Sequence, residues 1–418
     1  GGWRPAAQAL GFSVPAGGWP VADLISRWRA FKDGRDLVEH EDYVALALRN
    51  RLPPPAPVLL VDEFQDVSRA QGELIRQWIG SGEVDRVYVA GDPDQSIYSF
   101  RGCDPSVFTS LPAVDEGASA DRARPVSFRC PESVMAAAEE VLGYPARVDP
   151  CGRSGMVRHV APATPGMLAA QVEAAVRYAR EVAPGRQPVF VLTRFRRNVR
   201  SLAGDLGREG IPCTGIRRGR VNRWTSVRVG RSGAGLEPVA VSPWALVQAL
   251  VRYVGGSDID PDPLPKEAAR ALVVAVLSGE DRSRALAEVT GMARVTVGAL
   301  YHWTGGNLGE GIYARLNLRP WVVASIRAAI DRQSRRGYAI GPEDVRVDTV
   351  HASKGLEAAV VLLHTGYLRG RLAGFPDAAA VAEERRIFYV GATRASHALV
   401  VLDYGPGPTT PILSGVGM

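Results

Sequence analysis

Two short apolar runs limit the fold of this 418-residue chain more than any other feature. Val58-Leu59-Leu60-Val61 is apolar throughout and breaks at once into Asp62-Glu63. A segment with helical periodicity follows, from about Gln71 to Ile79, and then a second run, Arg86 to Ala90, ends in Gly91-Asp92. Apolar runs of this length suit strands covered on both faces, as in parallel sheets. Parallel neighbours need a crossover, which the intervening helix supplies. Open α/β sheets bind ligands at the carboxyl ends of their strands, where both runs place acidic residues. Strand, helix, strand with acids at both strand ends is a nucleotide-binding arrangement, and the expected fold class is α/β.

The rest of the chain divides around this unit. Gly1 to Pro57 holds loops and one or two helices, of which Glu41 to Arg51 is the clearest before Pro53 to Pro57 breaks it. A second α/β region looks split. Its first part has strands near Pro125 to Phe128 and at Val189 to Thr193, a helix from Arg196 to Glu209, and a strand beginning at Ile211. Its second part has strands at Val345 to Val350 and Ala359 to Leu363, a helix from about Ala379 to Arg394, and a strand from Ala398 to Leu402. The intervening stretch is richer in helical periodicity and in arginine. The expected domains are 1–120, then 121–215 joined with 342–418, with an accessory domain over 216–341 inserted between the two halves.

Hydrophobic residues make up 46% and charged residues 22% of the chain, as in soluble globular proteins. No apolar run reaches the roughly 18 residues of a membrane helix, and the opening residues do not read as a secretory signal. Cys103, Cys130, Cys151 and Cys213 are too scattered for a metal site and read as reduced thiols, so a cytoplasmic setting is expected. A formal charge of +6 favours a polyanionic partner. That charge is carried almost wholly by arginine, since Lys32, Lys266 and Lys354 are the only lysines.

Two segments carry chemistry. In Asp62-Glu63-Phe64-Gln65-Asp66, adjacent carboxylates at a strand end suit Mg²⁺ binding and activation of water. A plain acidic helix start would look the same, because carboxylates are favoured there. In Gly91-Asp92-Pro93-Asp94-Gln95-Ser96-Ile97-Tyr98-Ser99-Phe100-Arg101-Gly102, Gln95 can sense a phosphate, Tyr98 and Phe100 can stack on bases, and Arg101 can reach a backbone phosphate. A loop with core aromatics is the alternative.

Together these segments resemble motifs II and III of UvrD/Rep/PcrA-type superfamily 1 helicases, in order and at a fitting distance. Ser127-Phe128-Arg129-Cys130-Pro131 is similar to motif IV. Val191-Leu192-Thr193-Arg194 and Gly210-Ile211-Pro212 resemble the strand–helix–strand before the family's insertion. Thr349-Val350-His351-Ala352-Ser353-Lys354-Gly355-Leu356-Glu357 looks like motif V, and Glu383 to Ala395 looks like motif VI. The resemblance implies two RecA-like parallel-sheet domains, the first incomplete here, with a mostly helical inserted domain.

The resemblance also implies roles. Asp62 would hold Mg²⁺ and Glu63 would be the general base. Gln95 would contact the γ-phosphate, and Arg129 and Arg394 would be arginine fingers. Phe128, where the family has tyrosine, would stack on adenine; Gly355 belongs to the same nucleotide site, and Glu357 would bind the ribose. Tyr98, Phe100, Arg101 and His351 would line the DNA path. The activity implied is an ATP-dependent 3′–5′ translocase or helicase on single-stranded DNA and single/double-strand junctions.

One required part is missing. A motor of this class needs Gly-x-x-x-x-Gly-Lys-Ser/Thr to cradle phosphates. Lys32 precedes Asp33, Lys266 precedes Glu267 and Lys354 precedes Gly355, so none fits. The sequence also starts at Gly1 rather than Met. The expectation is a portion of a longer protein; a loop supplied by a partner chain, or a decayed motor, are the alternatives, and the surviving Asp62-Glu63 and fingers argue against decay. The competing function is a non-hydrolysing, helicase-like DNA-binding or assembly module.

The insertion adds two features. Arg217, Arg218, Arg220, Arg223, Arg228 and Arg231 crowd around Trp224, which suits contact with phosphates and bases or, equally, a solvated loop. Ala285 to Trp303 reads as two short helices around a Gly turn: a helix-turn-helix that contacts duplex DNA, or a plain packed pair.

Overall fold

The computed structural model describes residues 21–103, 107–108, 126–146, 148–185, 188–215, 224–229, 239–255, 263–367 and 378–413, without the side chains of residues 21, 22 and 41. They belong to two compact units, one of residues 1–93 and 98–112, the other of residues 94–97 and 113–418.

In the first unit, α1 (Val21–Asp33) and α2 (His40–Arg49) precede β1 (Val58–Val61), α3 (Arg69–Gly80) and β2 (Arg86–Val89). The strand–helix–strand is thus present within a residue or two of the sequence reading. Helix α3 starts in a capping box, where Ser68 Oγ accepts from the Gln71 amide and the Gln71 side chain accepts from the Ser68 amide. Strands β1 and β2 pair in parallel, Leu59 opposite Val87 and Leu60 opposite Tyr88. Phe64, Ile75 and Val107 form a small core that Val61 and Trp78 join. The expectation that both faces are covered is corrected here. Side chains alternate along a strand, and while Leu59 is buried, Leu60 is 79% and Tyr88 52% exposed. Among the described residues the sheet has these two strands.

The second unit is built on a five-stranded, wholly parallel sheet of order β3-β9-β8-β4-β7. Its strands are β3 (Met156–Val160), β4 (Val189–Thr193), β7 (Val345–Thr349), β8 (Ala358–His364) and β9 (Ala395–Leu402). Helices α4 (Glu132–Leu142), α5 (Pro165–Val182), α6 (Arg196–Arg208) and α12 (Ala378–Ala392) flank them. Strands β4 and β8 are buried at every residue, as central parallel strands are.

Three sequence expectations change. Strand β3 and helix α5 were not anticipated: Met-Val-Arg-His-Val is too polar to read as core, yet it pairs along β9. The strand expected near Pro125 to Phe128 is only an isolated bridge from Val126 to Asp149. There Ser127 Oγ accepts from the amides of Arg129 and Cys130 and turns the chain. The strand expected from Ile211 shrinks to one bridge, Thr214 to Arg346, since Pro212 has no amide hydrogen for a ladder.

Between α6 and β7 lies a mostly helical region with a core of its own. It comprises α7 (Pro243–Gly255), α8 (Lys266–Val276), α9 (Gly279–Gly291), α10 (Val297–Thr304) and α11 (Pro320–Arg336), plus the antiparallel pair β5 (Val227–Val229) and β6 (Val239–Val241). Trp224 is buried in that core at 3% exposure, so it is a packing residue and not a base platform. Arg228 is exposed; Arg217, Arg218, Arg220, Arg223 and Arg231 lie outside the described residues. Helices α9 and α10 form the expected short pair, pinned by Ala285, Val289, Val297 and Leu300 in the core. Gly210 joins this region to the sheet domain. Its φ is +73°, and a Cβ there would lie 2.2 Å from the Ala329 nitrogen in α11, so only glycine fits. Among the described residues no helix is long and apolar enough to cross a membrane.

Candidate nucleotide site

In the first unit, the turn after β1 presents Asp62 and Glu63 as exposed carboxylates. Glu63 has φ 50° and ψ 41°, a left-handed conformation that non-glycine residues adopt at a cost of roughly 1–3 kcal/mol. The surrounding bonds enforce it. The Phe64 amide donates to Ala90 O at 2.9 Å, the Asp66 amide to Glu63 O at 2.9 Å, and the Glu63 amide to Asp62 Oδ1 at 2.8 Å. Gln65, almost wholly buried, ties the ends of the two strands together. Its Nε2 donates to the Glu63 carboxylate, and its Oε1 accepts from the Asp92 amide at 2.9 Å. Gly91 leaves room for this clamp, because a Cβ there would lie 2.3 Å from Gln65 Oε1. The sequence reading assigned nothing to Gln65; its place between two strand-end acids was the available signal.

Asp62 and Glu63 offer hard oxygen donors, and among the described residues no three metal-ligating side chains cluster. That donor set fits Mg²⁺, which typically takes one or two carboxylates and completes its shell with water and substrate phosphate. A turn further on, Tyr98 and Phe100 meet edge to face at 6.0 Å, and the Arg101 guanidinium lies 4.8 Å from the Tyr98 ring and 5.7 Å from the Phe100 ring. Phe100 is 69% exposed. Aromatic faces beside a cation form a surface that can stack bases and hold a phosphate.

Residues 94–97 belong to the second unit, and four bonds hold them there. Tyr144 Oη donates to Asp94 Oδ1 at 2.7 Å, Lys354 Nζ to Gln95 O at 2.8 Å, Arg386 Nε to Ser96 O at 3.0 Å, and Arg394 Nη2 to Gln95 Oε1 at 2.9 Å. Arg394 is 1% exposed, and its Nε also donates to Val390 O at 2.9 Å. Arg129 Nε donates to Glu357 Oε2 at 3.0 Å, and its Nη1 to Thr393 O at 3.4 Å. The structure therefore brings together Gln95, Arg129, Glu357 and Arg394, which are separated by up to 299 positions along the chain. The Arg129–Glu357 pair is partly exposed on both sides, so it contributes little stability and can exchange for a ligand at small cost. Phe128 is 79% exposed and offers a ring face. Gly355, at φ +81°, faces open space. His351 sits half-buried in the short helical turn Val350–Ser353. Burial pushes the Cys130 thiol up despite the neighbouring Arg129 and Arg394, so it packs as a neutral group.

Lys354, Arg386 and Tyr144 had no role assigned from the sequence. The rarity of lysine in this chain was the one signal that could have marked Lys354.

Residues 24–113 match the family model of the UvrD/REP helicase N-terminal domain, and residues 323–404 that of the UvrD-like helicase C-terminal domain. Two stretches of the chain are thus similar to the two halves of UvrD-type helicases. The matched ranges hold Asp62, Glu63, Gln95, Phe100, Glu357 and Arg394, while Phe128 and Arg129 lie between them. The ATP-dependent DNA helicase UvrD2 of Mycobacterium tuberculosis (strain ATCC 25618 / H37Rv) is 28% identical over 407 residues, covering 90% of this chain and 53% of its own. An ATP-dependent helicase/nuclease subunit of Staphylococcus saprophyticus is 34% identical over 102 residues, 21% of this chain and 8% of its own. The chain thus spans about half the length of the UvrD2 relatives it matches. The solved C-terminal domain of a possible DNA helicase from Lactobacillus plantarum WCFS1 aligns at 11% identity and a TM-score of 0.29 over 70% of this chain and 94% of its own, too loose to bear on the fold.

Proposed function

We propose that these UvrD-type domains are part of an ATP-driven translocase and helicase that moves 3′ to 5′ on single-stranded DNA and opens single/double-strand junctions. The observation that carries this reading is the bond between Arg394 and Gln95 Oε1, beside the Arg129–Glu357 pair. A buried guanidinium held against an amide, next to an exchangeable ion pair, is what phosphoryl transfer requires: fixed positive charge and a group that senses the leaving phosphate. Glu63 takes the proton of the attacking water, and Asp62 holds Mg²⁺, which supplies charge neutralisation to the phosphates when bound. Phe128 stacks on the adenine, with Gly355 beside it, and Glu357 takes the ribose hydroxyl as Arg129 leaves it. Tyr98, Phe100, Arg101 and His351 line the strand, and the helical region contributes duplex contacts.

None of the three lysines lies in a phosphate-binding loop, so we assign that loop to residues outside these 418. In the longer protein that contains it, ATP hydrolysis is expected to rise with single-stranded DNA. Glu63→Gln and Arg394→Ala are each expected to lower turnover by about 10³-fold or more. Turnover like the wild type in either variant would sink the assignment. Salt-dependent DNA binding with no turnover in that longer protein would favour the non-hydrolysing module. Displacement of a strand annealed beside a 3′ tail, but not beside a 5′ tail, tests the polarity.

A further inference from the structure

A second cation-rich site lies in the second unit and contains none of the residues assigned above. Helix α5 and the end of α11 enclose a cavity of about 300 Å³ lined by Ala170, Glu173, Ala174, Arg177, Arg335, Arg336 and Tyr338. Three guanidiniums and one carboxylate line it, and Arg180, Arg332, Glu209 and Asp344 belong to ion pairs next to these residues in the chain or in space. Arg332 donates to Glu173 at 3.2 Å and to Glu209 at 2.8 Å. Arg180 donates to Asp344 at 3.0 Å. Arg336 Nε lies 3.4 Å from Glu173 and donates to Arg332 O at 3.0 Å. Those contacts occupy all three carboxylates. Arg177 and Arg335 are exposed and form no ion pair among the described residues, and the buried Nη1 of Arg336 has no hydrogen-bond partner. An unpartnered, buried guanidinium nitrogen is costly unless an acceptor reaches it.

The shape of the site selects the ligand. Tyr338 already carries Arg180 over its ring at 5.0 Å and Arg336 at 5.6 Å, so its ring face is engaged and base stacking is not what the cavity offers. What remains unsatisfied is donor capacity on three arginines that converge from two helices, which matches the oxygens of a phosphate. We propose that Arg177, Arg335 and Arg336 form a sequence-independent binding site for a DNA backbone phosphate, built from none of the Tyr98, Phe100 and Arg101 side chains. The proposal rests on the DNA-motor reading and extends it: a backbone contact here gives grip without reading bases.

The test uses the 418-residue chain and a labelled oligothymidylate, with anisotropy read across a salt series. Arg177→Gln/Arg335→Gln is compared with wild type and with Phe100→Ala/Arg101→Ala. Arg177 and Arg335 are exposed, so thermal stability is expected to stay unchanged. Two lost phosphate contacts are expected to flatten the slope of log affinity against log salt by about 1.4, at about 0.7 per contact on single strands, and to weaken binding roughly tenfold. Arg177→Lys/Arg335→Lys is expected to recover most of the affinity, because the contact is chiefly electrostatic. Inorganic phosphate at constant ionic strength is expected to compete with wild type more than with the glutamine variant. An unchanged slope in the glutamine variant overturns the proposal. If Phe100→Ala/Arg101→Ala weakens binding at the same time, the motor reading stands without it. No DNA binding by the wild-type chain overturns both. Weakening by the glutamine variant alone keeps this site and removes the aromatic path.

Discussion

The Gln95–Arg394 contact can be weighed directly by a double-mutant cycle. Arg394 Nη2 donates to Gln95 Oε1 at 2.9 Å from a side chain that is 1% exposed, while Gln95 itself is half-buried. A hydrogen bond to a charged group contributes roughly 1.5–3 kcal/mol, and the partial exposure of Gln95 places this one near the lower end. Arg394→Ala removes more than that bond. It also removes the stronger of two bonds to Val390 O and empties the volume of one of the largest fully buried side chains, so its total cost is expected to be about 3–5 kcal/mol. Gln95→Ala alone is expected to cost about 1–2 kcal/mol, with Lys354 still holding the Gln95 carbonyl. The coupling between the two substitutions should therefore be about 1.5 kcal/mol. Urea unfolding of both single variants and the double variant measures it, read at the transition of the unit that contains both residues. A coupling below about 0.5 kcal/mol, the size of ordinary non-additivity between distant sites, would refute the reasoning. Gln95 would then be placed by its backbone contacts alone, and Arg394 would not be its partner.

Two further outcomes test the sheet domain. His364 is buried, with Nε2 donating to Tyr404 O at 2.8 Å and Nδ1 accepting from the Gly366 amide at 3.2 Å. This assigns the neutral tautomer from its partners, since protonated Nδ1 would point a donor at a donor. Burial holds the His364 pKa below its ordinary value, against a smaller opposing effect of the Tyr404 carbonyl. The unfolded chain therefore takes up the proton first as pH falls through about 6.5. Stability from this group is complete above that pH and is lost below it, at up to about 1.4 kcal/mol per pH unit. The melting temperature is expected to drop between about pH 7 and pH 5 in the wild type and less so in His364→Gln, and identical pH profiles would contradict this. Gly210→Ala combines a left-handed backbone with a Cβ pressed into the α11 backbone, so a loss of about 3 kcal/mol or more is expected, a fall in melting temperature of roughly 6 °C or more by calorimetry. A change of only a degree or two would mean that α11 shifts freely.

Much of this protein could be read locally. The runs at Val58–Val61 and Val189–Thr193 end where the structure ends them, because continuous apolar residues bounded by acids or threonine have few other stable arrangements. Some motif residues sit beside a strand end, as Asp62 and Glu63 do after β1 and Glu357 does before β8. Three things were not legible. Strand β3 carries an arginine and a histidine and takes its conformation from pairing with β9, some 240 positions on. Trp224 sits in a basic stretch that suggests a surface, yet the core of the helical region takes its ring. Gln65 and Lys354 owe their roles to backbone atoms of other segments, at Asp92 and Gln95. The sequence by itself determined the periodicities, the carboxylates after β1 and that none of its three lysines is followed by serine or threonine. Only the tertiary structure decided that Gln95 meets Arg394, that Arg129 pairs with Glu357, and that arginines from two helices converge on one cavity. Such contacts depend on how helices cross and strands order, and these are set by packing of the whole core, not by any local run of residues.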